Sequence, residues 1–286
     1  MFFINGQPSD KIMTLDKFPD NTPKIEIDII RMQIWYKSQR EISIKWKFES
    51  MEELFTLQVL VMHLREKGLQ NICLNLFYVP TARMDRAETF KDVPLLKYFC
   101  NIINSLEFNH VAIYDPHSSV LPNLLNRCIV RSTCSLILKS IEQLEKNGEN
   151  IDCLFFPDTG SLKRYLPTVS YLNRPYISAY KYRDWETGEI QKLDILKGDA
   201  DLTGKNVLII DDICSKGGTF YYSGKALKEL GVNKIYLWVT HCENSILDGK
   251  LLTADIIDRI FTTDSLLTKT HEKITTINIV DTQGEE

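Results

Sequence analysis

Val207, Leu208, Ile209 and Ile210 form an unbroken apolar run that ends in two adjacent carboxylates, Asp211 and Asp212. A run of this kind reads as a strand buried on both faces of a parallel sheet. Comparable strand signals cover 71–79, 109–115, 151–157, 175–180, 206–212 and 233–239. Between them, apolar residues at helical spacing predict helices over 93–106, 133–146, 160–172 and 219–230. Strand and helix alternate in the manner of βαβ units, which implies parallel sheets covered by helices. Nearer the N-terminus, Ile25, Ile27 and Ile29, then Ile42, Ile44 and Trp46, alternate with polar residues and predict strands over 24–36 and 41–48. A helix should follow, capped by Ser50 with Glu53 three residues on, carrying Leu54, Leu57, Val61 and Leu64 on one face and stopping at Gly68. A last strand is expected near 274–280, and the polar stretch 181–205 suits a mobile loop or a hairpin. The βαβ rhythm occurs twice, on either side of a junction near 126–134, so two α/β domains are expected, at 1–130 and 131–286.

Composition changes this picture little. The 286 residues are 44% hydrophobic and 25% charged, ordinary values for a soluble α/β protein with room for two cores. A net charge of −4 gives no electrostatic footprint for nucleic acid, so none is expected as a partner. The seven cysteines include no C-x-x-C pair, which argues against a zinc ribbon or a disulfide framework and for reduced thiols in a cytoplasm. The N-terminal residues do not read as a signal peptide, and no apolar run approaches the ~20 residues of a membrane span, so no membrane association is expected.

The chemistry concentrates at 207–219, Val-Leu-Ile-Ile-Asp-Asp-Ile-Cys-Ser-Lys-Gly-Gly-Thr. In open α/β sheets ligands collect beyond the carboxyl ends of the strands, where Asp211 and Asp212 are expected. Ser215, Lys216, Gly217 and Gly218 make a short turn able to present bare N–H groups, and Thr219 opens a helix whose N-terminus favours an anion. Two carboxylates suit vicinal ribose hydroxyls, and the turn suits a phosphate. A plain strand, turn and Thr-capped helix is the alternative. The segment is not a Walker A loop, because Lys216 precedes the glycines.

This segment resembles the phosphoribosyl diphosphate (PRPP) motif of type I phosphoribosyltransferases and PRPP synthetases. Further segments are similar to the synthetases in particular. Residues 77–86, Phe-Tyr-Val-Pro-Thr-Ala-Arg-Met-Asp-Arg, resemble that family's Pro-Tyr-Ala-Arg-Gln-Asp-Arg, and 114–119, Tyr-Asp-Pro-His-Ser-Ser, resemble its Asp-Leu-His segment. Residues 157–164, Pro-Asp-Thr-Gly-Ser-Leu-Lys-Arg, resemble Pro-Asp-Ala-Gly-Gly-Ala-Lys-Arg, and Lys181-Tyr-Arg183 takes the place of Lys-x-Arg. Residues 17–27 resemble its Phe-x-Asp-x-Glu adenine stretch, with Thr22 where the family has Glu.

The resemblance implies two phosphoribosyltransferase-like domains, each a mainly parallel sheet flanked by helices. It implies transfer of the β,γ-diphosphoryl group of MgATP to the anomeric hydroxyl of ribose 5-phosphate, giving PRPP and AMP, with Mg²⁺ required. Lys181 and Arg183 would be the transition-state cations, with His117 beside them. Arg83, Asp85 and Arg86 would hold ATP phosphates, and Phe18 and Asp20 the adenine. Asp158, Lys163, Asp211, Asp212 and 215–219 would bind ribose 5-phosphate, while Asp115, His117 and Asp158 would serve the metal. Assembly into a homo-oligomer, a dimer or larger, is also implied. Two other functions stay open: a phosphoribosyltransferase that uses PRPP on a nucleobase or nicotinamide, and a catalytically silent nucleotide-binding regulator.

Overall fold

The computed structural model describes residues 1–87, 89–183, 190–196 and 200–279, without the side chains of 181–183 and 190–193. The chain divides into two units, Met1–Arg131 and Ser132–Glu286.

In the N-terminal unit, β1 (Phe2–Ile4), β2 (Gln7–Pro8), β3 (Met13–Lys17) and β4 (Pro23–Ile27) precede α1 (Ile29–Gln39). Then come β5 (Ile42–Trp46), α2 (Glu52–Glu66), β6 (Ile72–Leu76), α3 (Leu95–Ser105), β7 (Val111–Tyr114), α4 (Leu121–Leu124) and β8 (Cys128–Arg131). The sheet order is β2-β1-β5-β6-β7-β8, with β5 to β8 parallel and the two N-terminal strands added antiparallel at one edge. β3 and β4 form a separate two-stranded hairpin.

Two local expectations fail here for clear reasons. The strand expected over 24–36 ends at Ile27, and α1 follows. Asp28 starts that helix by accepting the Arg31 N–H at 3.0 Å. Ile29, Met32, Trp35 and Tyr36 then pack on the core at helical spacing. The isoleucine alternation therefore covers only the hairpin strand. At α2, Ser50 provides no cap: Met51 precedes the helix without a side-chain bond. Glu53 instead turns back to accept the Glu49 N–H at 2.9 Å and the Trp46 indole N–H at 2.8 Å. Its other oxygen takes the N-terminal ammonium, which ties the chain start to this corner.

The C-terminal unit contains α5 (Cys134–Lys146), β9 (Cys153–Phe156), α6 (Thr159–Leu172), β10 (Tyr176–Arg183), β11 (Ile190–Leu196), β12 (Asn206–Cys214), α7 (Gly218–Glu229), β13 (Lys234–Cys242), β14 (Arg259–Thr263) and β15 (Ile274–Ile277). Its sheet runs β11-β10-β9-β12-β13-β14-β15, all parallel except β11, which makes a hairpin with β10. The polar stretch thus contributes a strand, while 184–189 and 197–199 lie outside the described residues, as does position 280 of the expected last strand.

Both faces of this sheet are buried, which is why its strands read as continuous apolar runs. Leu208, Ile210, Phe156 and Trp238 point to the face covered by α5 and α6. Val207, Ile209, Phe155 and Val239 point to the face covered by α7. From β9 the chain moves one way to β10, and from β12 the other way to β13. The carboxyl ends of β9 and β12 therefore form a topological switch point, where loops diverge to opposite faces and leave a crevice.

Candidate functional site

The switch point holds the site of the C-terminal unit. Asp211 and Asp212 lie inside β12, which continues to Cys214, rather than at its end as expected. Both are buried, at 9% and 2% exposure. Asp212 shares the parity of Leu208 and Ile210, so it faces α6. There Arg164 meets it, with Nη1 2.5 Å from Asp212 Oδ1 and 3.7 Å from Asp211 Oδ1. One guanidinium thus balances two carboxylates. Asp211 Oδ1 also accepts the Asp212 backbone N–H at 3.0 Å.

After β12, half-buried Ser215 and exposed Lys216 lead into Gly217, which takes φ +78° and precedes α7. The helix starts at Gly218, one residue before the expected Thr219, and no side chain caps it. No side chain takes up its first amides, and a helix start of this kind favours an anion. The turn is held from behind. A Cβ on Gly249 would stand 2.0 Å from the Lys216 carbonyl oxygen, and one on Gly217 2.7 Å from Leu251 Cδ2, so 249–251 packs directly against the turn. A Cβ on Gly218 would meet nothing within 4 Å, which marks the open side.

Asp158 sits at the end of β9, where its Oδ1 accepts the Ser161 N–H at 2.8 Å and the Ser161 hydroxyl donates back to the Asp158 carbonyl at 3.0 Å. This capping box starts α6, the helix that carries Arg164; a cap of this type is worth about 1 kcal/mol. Lys163 is exposed on the same helix. Lys181 and Arg183 lie on β10, with their backbones paired to Leu193 and Ile190, and their side chains lie outside the described residues.

In the N-terminal unit, Arg83, Asp85, Arg86, Asp115 and His117 lie in the loops after β6 and β7. Asp115 is buried and adopts φ +42°, while Thr81 adopts φ +65°, a conformation that a β-branched residue rarely takes. Thr81 Oγ1 is buried without a hydrogen-bond partner. Strain of this sort concentrates at ligand sites. The Ser118 hydroxyl donates to Asp85 Oδ2 at 2.7 Å, which ties the two loops together. Arg86 Nε lies 3.7 Å from Asp85 Oδ1. Arg83 and Arg86 are exposed and His117 is half-buried. Phe18 and Asp20 sit at the tip of the β3–β4 hairpin, where Asp20 accepts from the Thr22 N–H at 3.0 Å and its hydroxyl at 2.6 Å. That carboxylate thereby closes its own turn.

Arg164, Gly249, Leu251 and Thr81 are the residues that sequence reasoning left without a role. Arg164 ended a motif already singled out, and its partner became visible only through the parity of β12. Nothing in the sequence around Gly249 signals that it backs a turn thirty-odd positions earlier.

The C-terminal unit is thus a mainly parallel sheet with a switch-point crevice, paired strand acids and a glycine turn opening a helix. Residues 134–253 match the phosphoribosyl transferase domain family. Across the longer chain, a ribose-phosphate pyrophosphokinase of Pyrococcus furiosus is 27% identical over 231 residues, covering 79% of this chain and 76% of that one. One from Thermococcus kodakarensis is 29% identical over 190 residues, covering 66% and 65%. Among solved structures, phosphoribosylpyrophosphate synthetase from Mycobacterium smegmatis has the same fold, with TM-score 0.74 and 14% identity over 96% of this chain and 90% of that one. Over most of its length the chain is thus similar to ribose-phosphate pyrophosphokinases, and it shares their fold.

Proposed function

We propose that the chain is a ribose-phosphate diphosphokinase that transfers the β,γ-diphosphoryl group of MgATP to the anomeric hydroxyl of ribose 5-phosphate, giving PRPP and AMP. The observation that carries this reading is the length of the likeness. Similarity to ribose-phosphate pyrophosphokinases extends over 231 residues, well beyond the domain at 134–253 that a simple phosphoribosyltransferase would share.

The C-terminal unit supplies a sugar phosphate site. The 5-phosphate would sit on the amides of 216–219 at the start of α7, where the helix dipole and close backbone approach favour an anion. Ring hydroxyls would donate to Asp211 and Asp212, which Arg164 keeps in place. The anomeric hydroxyl is then fixed for attack on the β-phosphorus. That atom is surrounded by anionic oxygens, so the protein's work is positioning and charge neutralisation. Lys181 and Arg183 on β10 supply the cations.

ATP phosphates are assigned to Arg83, Arg86 and the strained loops carrying Thr81 and Asp115. Mg²⁺ fits there, since it takes one or two carboxylates with waters and substrate phosphates, and Asp115 offers a buried carboxylate at a strand end. Bound Mg²⁺ would neutralise charge on the triphosphate. His117 serves better as a hydrogen-bond donor to a phosphate oxygen than as a ligand to so hard an ion. Asp158, whose Oδ1 is engaged in starting α6, acts chiefly on the helix. Seven free thiols and no membrane-spanning helix among the described residues suit a cytoplasmic enzyme.

The deciding experiment supplies purified protein with MgATP and ribose 5-phosphate and measures AMP and PRPP, with a no-sugar control. Sugar-dependent AMP matched by PRPP is the expected result. Intact binding of both substrates without turnover would replace this reading with a silent regulator or a transferase awaiting its base.

A further inference from the structure

At the amino ends of β5, β6 and β7, the edge of the N-terminal sheet opposite the loops that carry Thr81 and Asp115, three side chains of different chemistry converge. Glu41 precedes β5, Cys73 is the second residue of β6 and His110 precedes β7. One ligand atom from each lies within 4.8 Å of the others. Cys73 Sγ is 3.1 Å from His110 Nδ1. Cys73 is buried, whereas Glu41 and His110 are half-buried, so the cluster has a route to solvent.

We propose that Glu41, Cys73 and His110 form a binding site for a divalent transition metal, best suited to Zn²⁺, with water in the fourth position. The donor set is one sulfur, one imidazole nitrogen and one carboxylate oxygen. That combination suits Zn²⁺ and its neighbours and excludes Mg²⁺ and Ca²⁺, which demand oxygen. Zn–S bonds of about 2.3 Å and Zn–N or Zn–O bonds of about 2.0 Å place tetrahedral ligands roughly 3.3–3.6 Å apart. The Cys73–His110 gap needs to widen by only about half an ångström.

The backbone holds all three in place before any ion arrives. The His110 carbonyl accepts the Leu74 N–H at 3.0 Å, and Cys73 pairs in register with Ser43, two residues after Glu41. The Arg40 carbonyl accepts from the Asn71 side-chain amide at 2.6 Å, and the Ile42 N–H donates to the Asn71 carbonyl at 2.9 Å, which fixes the strand start on both sides of Glu41. Preorganised ligands of this kind lose little freedom on binding. Burial, with the Glu41 carboxylate adding to it, pushes the Cys73 thiol up to about 12, so the metal-free site keeps its proton and the ion replaces it. A bound ion would clamp the starts of three adjacent strands, a structural role distant from diphosphoryl transfer and independent of it.

The test titrates full-length, reduced, chelator-treated protein with Co²⁺ in excess Mg²⁺, which fills the oxygen-donor sites. One equivalent of Co²⁺ should produce visible bands of tetrahedral cobalt and a near-ultraviolet thiolate-to-cobalt band. Zn²⁺ should abolish both and raise Tm by about 5 °C at a hundredfold excess over its Kd. Cys73→Ser should erase the thiolate band, and His110→Gln and Glu41→Gln should each weaken binding tenfold or more. Absence of the thiolate band at about 1 mM Co²⁺ would overturn the proposal, as would its persistence in Cys73→Ser. Should that variant fail to fold, Glu41→Gln decides, because the carboxylate lies at the sheet edge and unchanged affinity there removes it as a ligand.

Discussion

Arg164 Nη1 and Asp212 Oδ1 stand 2.5 Å apart, joining α6 to β12 at the crevice where a sugar phosphate would bind. Asp212 is almost wholly buried, so losing Arg164 would remove a cation that balances its charge there. Removing one member of a buried pair costs about 3 kcal/mol. Arg164→Ala should lower unfolding stability by about that amount in urea denaturation and raise KM for ribose 5-phosphate at least tenfold, while Arg164→Lys should recover part of both. A stability loss below about 1 kcal/mol would mean that the pair is not a structural element.

Gly249 and Gly218 make a contrasting pair on the two sides of the 215–218 turn. Gly249→Ala would drive a methyl against the Lys216 carbonyl, so the turn must shift. We expect a loss of about 1–3 kcal/mol and a large fall in sugar phosphate affinity. Gly218→Ala meets open space and should change stability by less than about 1 kcal/mol, as its propensity gain is small. Its methyl would nevertheless occupy the open side, where we propose that the phosphate binds. Calorimetric binding of ribose 5-phosphate to both variants checks the arrangement.

Much of the fold is legible in the chain because buried parallel strands cannot disguise themselves. Val207–Ile210 and the run through Trp238 are apolar on both faces, and two helical layers explain why. The N-terminal region misleads for the opposite reason. Half-buried Ile25 and Ile27 belong to a hairpin and Ile29 to a helix, so one alternation spans two elements that Asp28 separates. The paired acids and glycine turn are readable as a local pattern. Arg164 and Gly249 are not, because their roles exist only once α6 and the 249–251 segment are packed on β12 and the turn.

Thiol chemistry gives an independent reading of the cores. Burial pushes Cys100 up to about 12 and Cys153 to about 11, and it also raises Cys128 and Cys134, which are only half-buried. A raised thiol pKa means less thiolate at any fixed pH below it, so alkylation should be slow at pH 7.5 and accelerate roughly tenfold per pH unit. Cys128 and Cys134 should react first, and all seven cysteines only after denaturation. Mass spectrometry of iodoacetamide-treated protein would show this order; early labelling of Cys100 or Cys153 would contradict the packing.

Asp115 holds a left-handed backbone that Asn tolerates nearly as well as Asp. Asp115→Asn should therefore leave Tm almost unchanged while removing the charge that we assign to the Mg²⁺-bound nucleotide. KM for MgATP should rise tenfold or more, with partial recovery at high Mg²⁺, and KM for ribose 5-phosphate should stay where it was. If nucleotide affinity survives the substitution, the metal is held elsewhere.

Lys181 is assigned to charge that develops during diphosphoryl transfer, so its removal should act on the transition state rather than on the bound substrates. Its backbone is anchored in β10 opposite Leu193, and replacement of the side chain leaves that pairing intact. Lys181→Ala should lower kcat by a factor of about 10² to 10⁴, with KM for both substrates changed less than about threefold. Lys181→Arg restores charge but not the compact ammonium, and should recover only part of the rate. A rise in KM with kcat preserved would instead make Lys181 a substrate-binding cation, and the transition-state role would pass to Arg183.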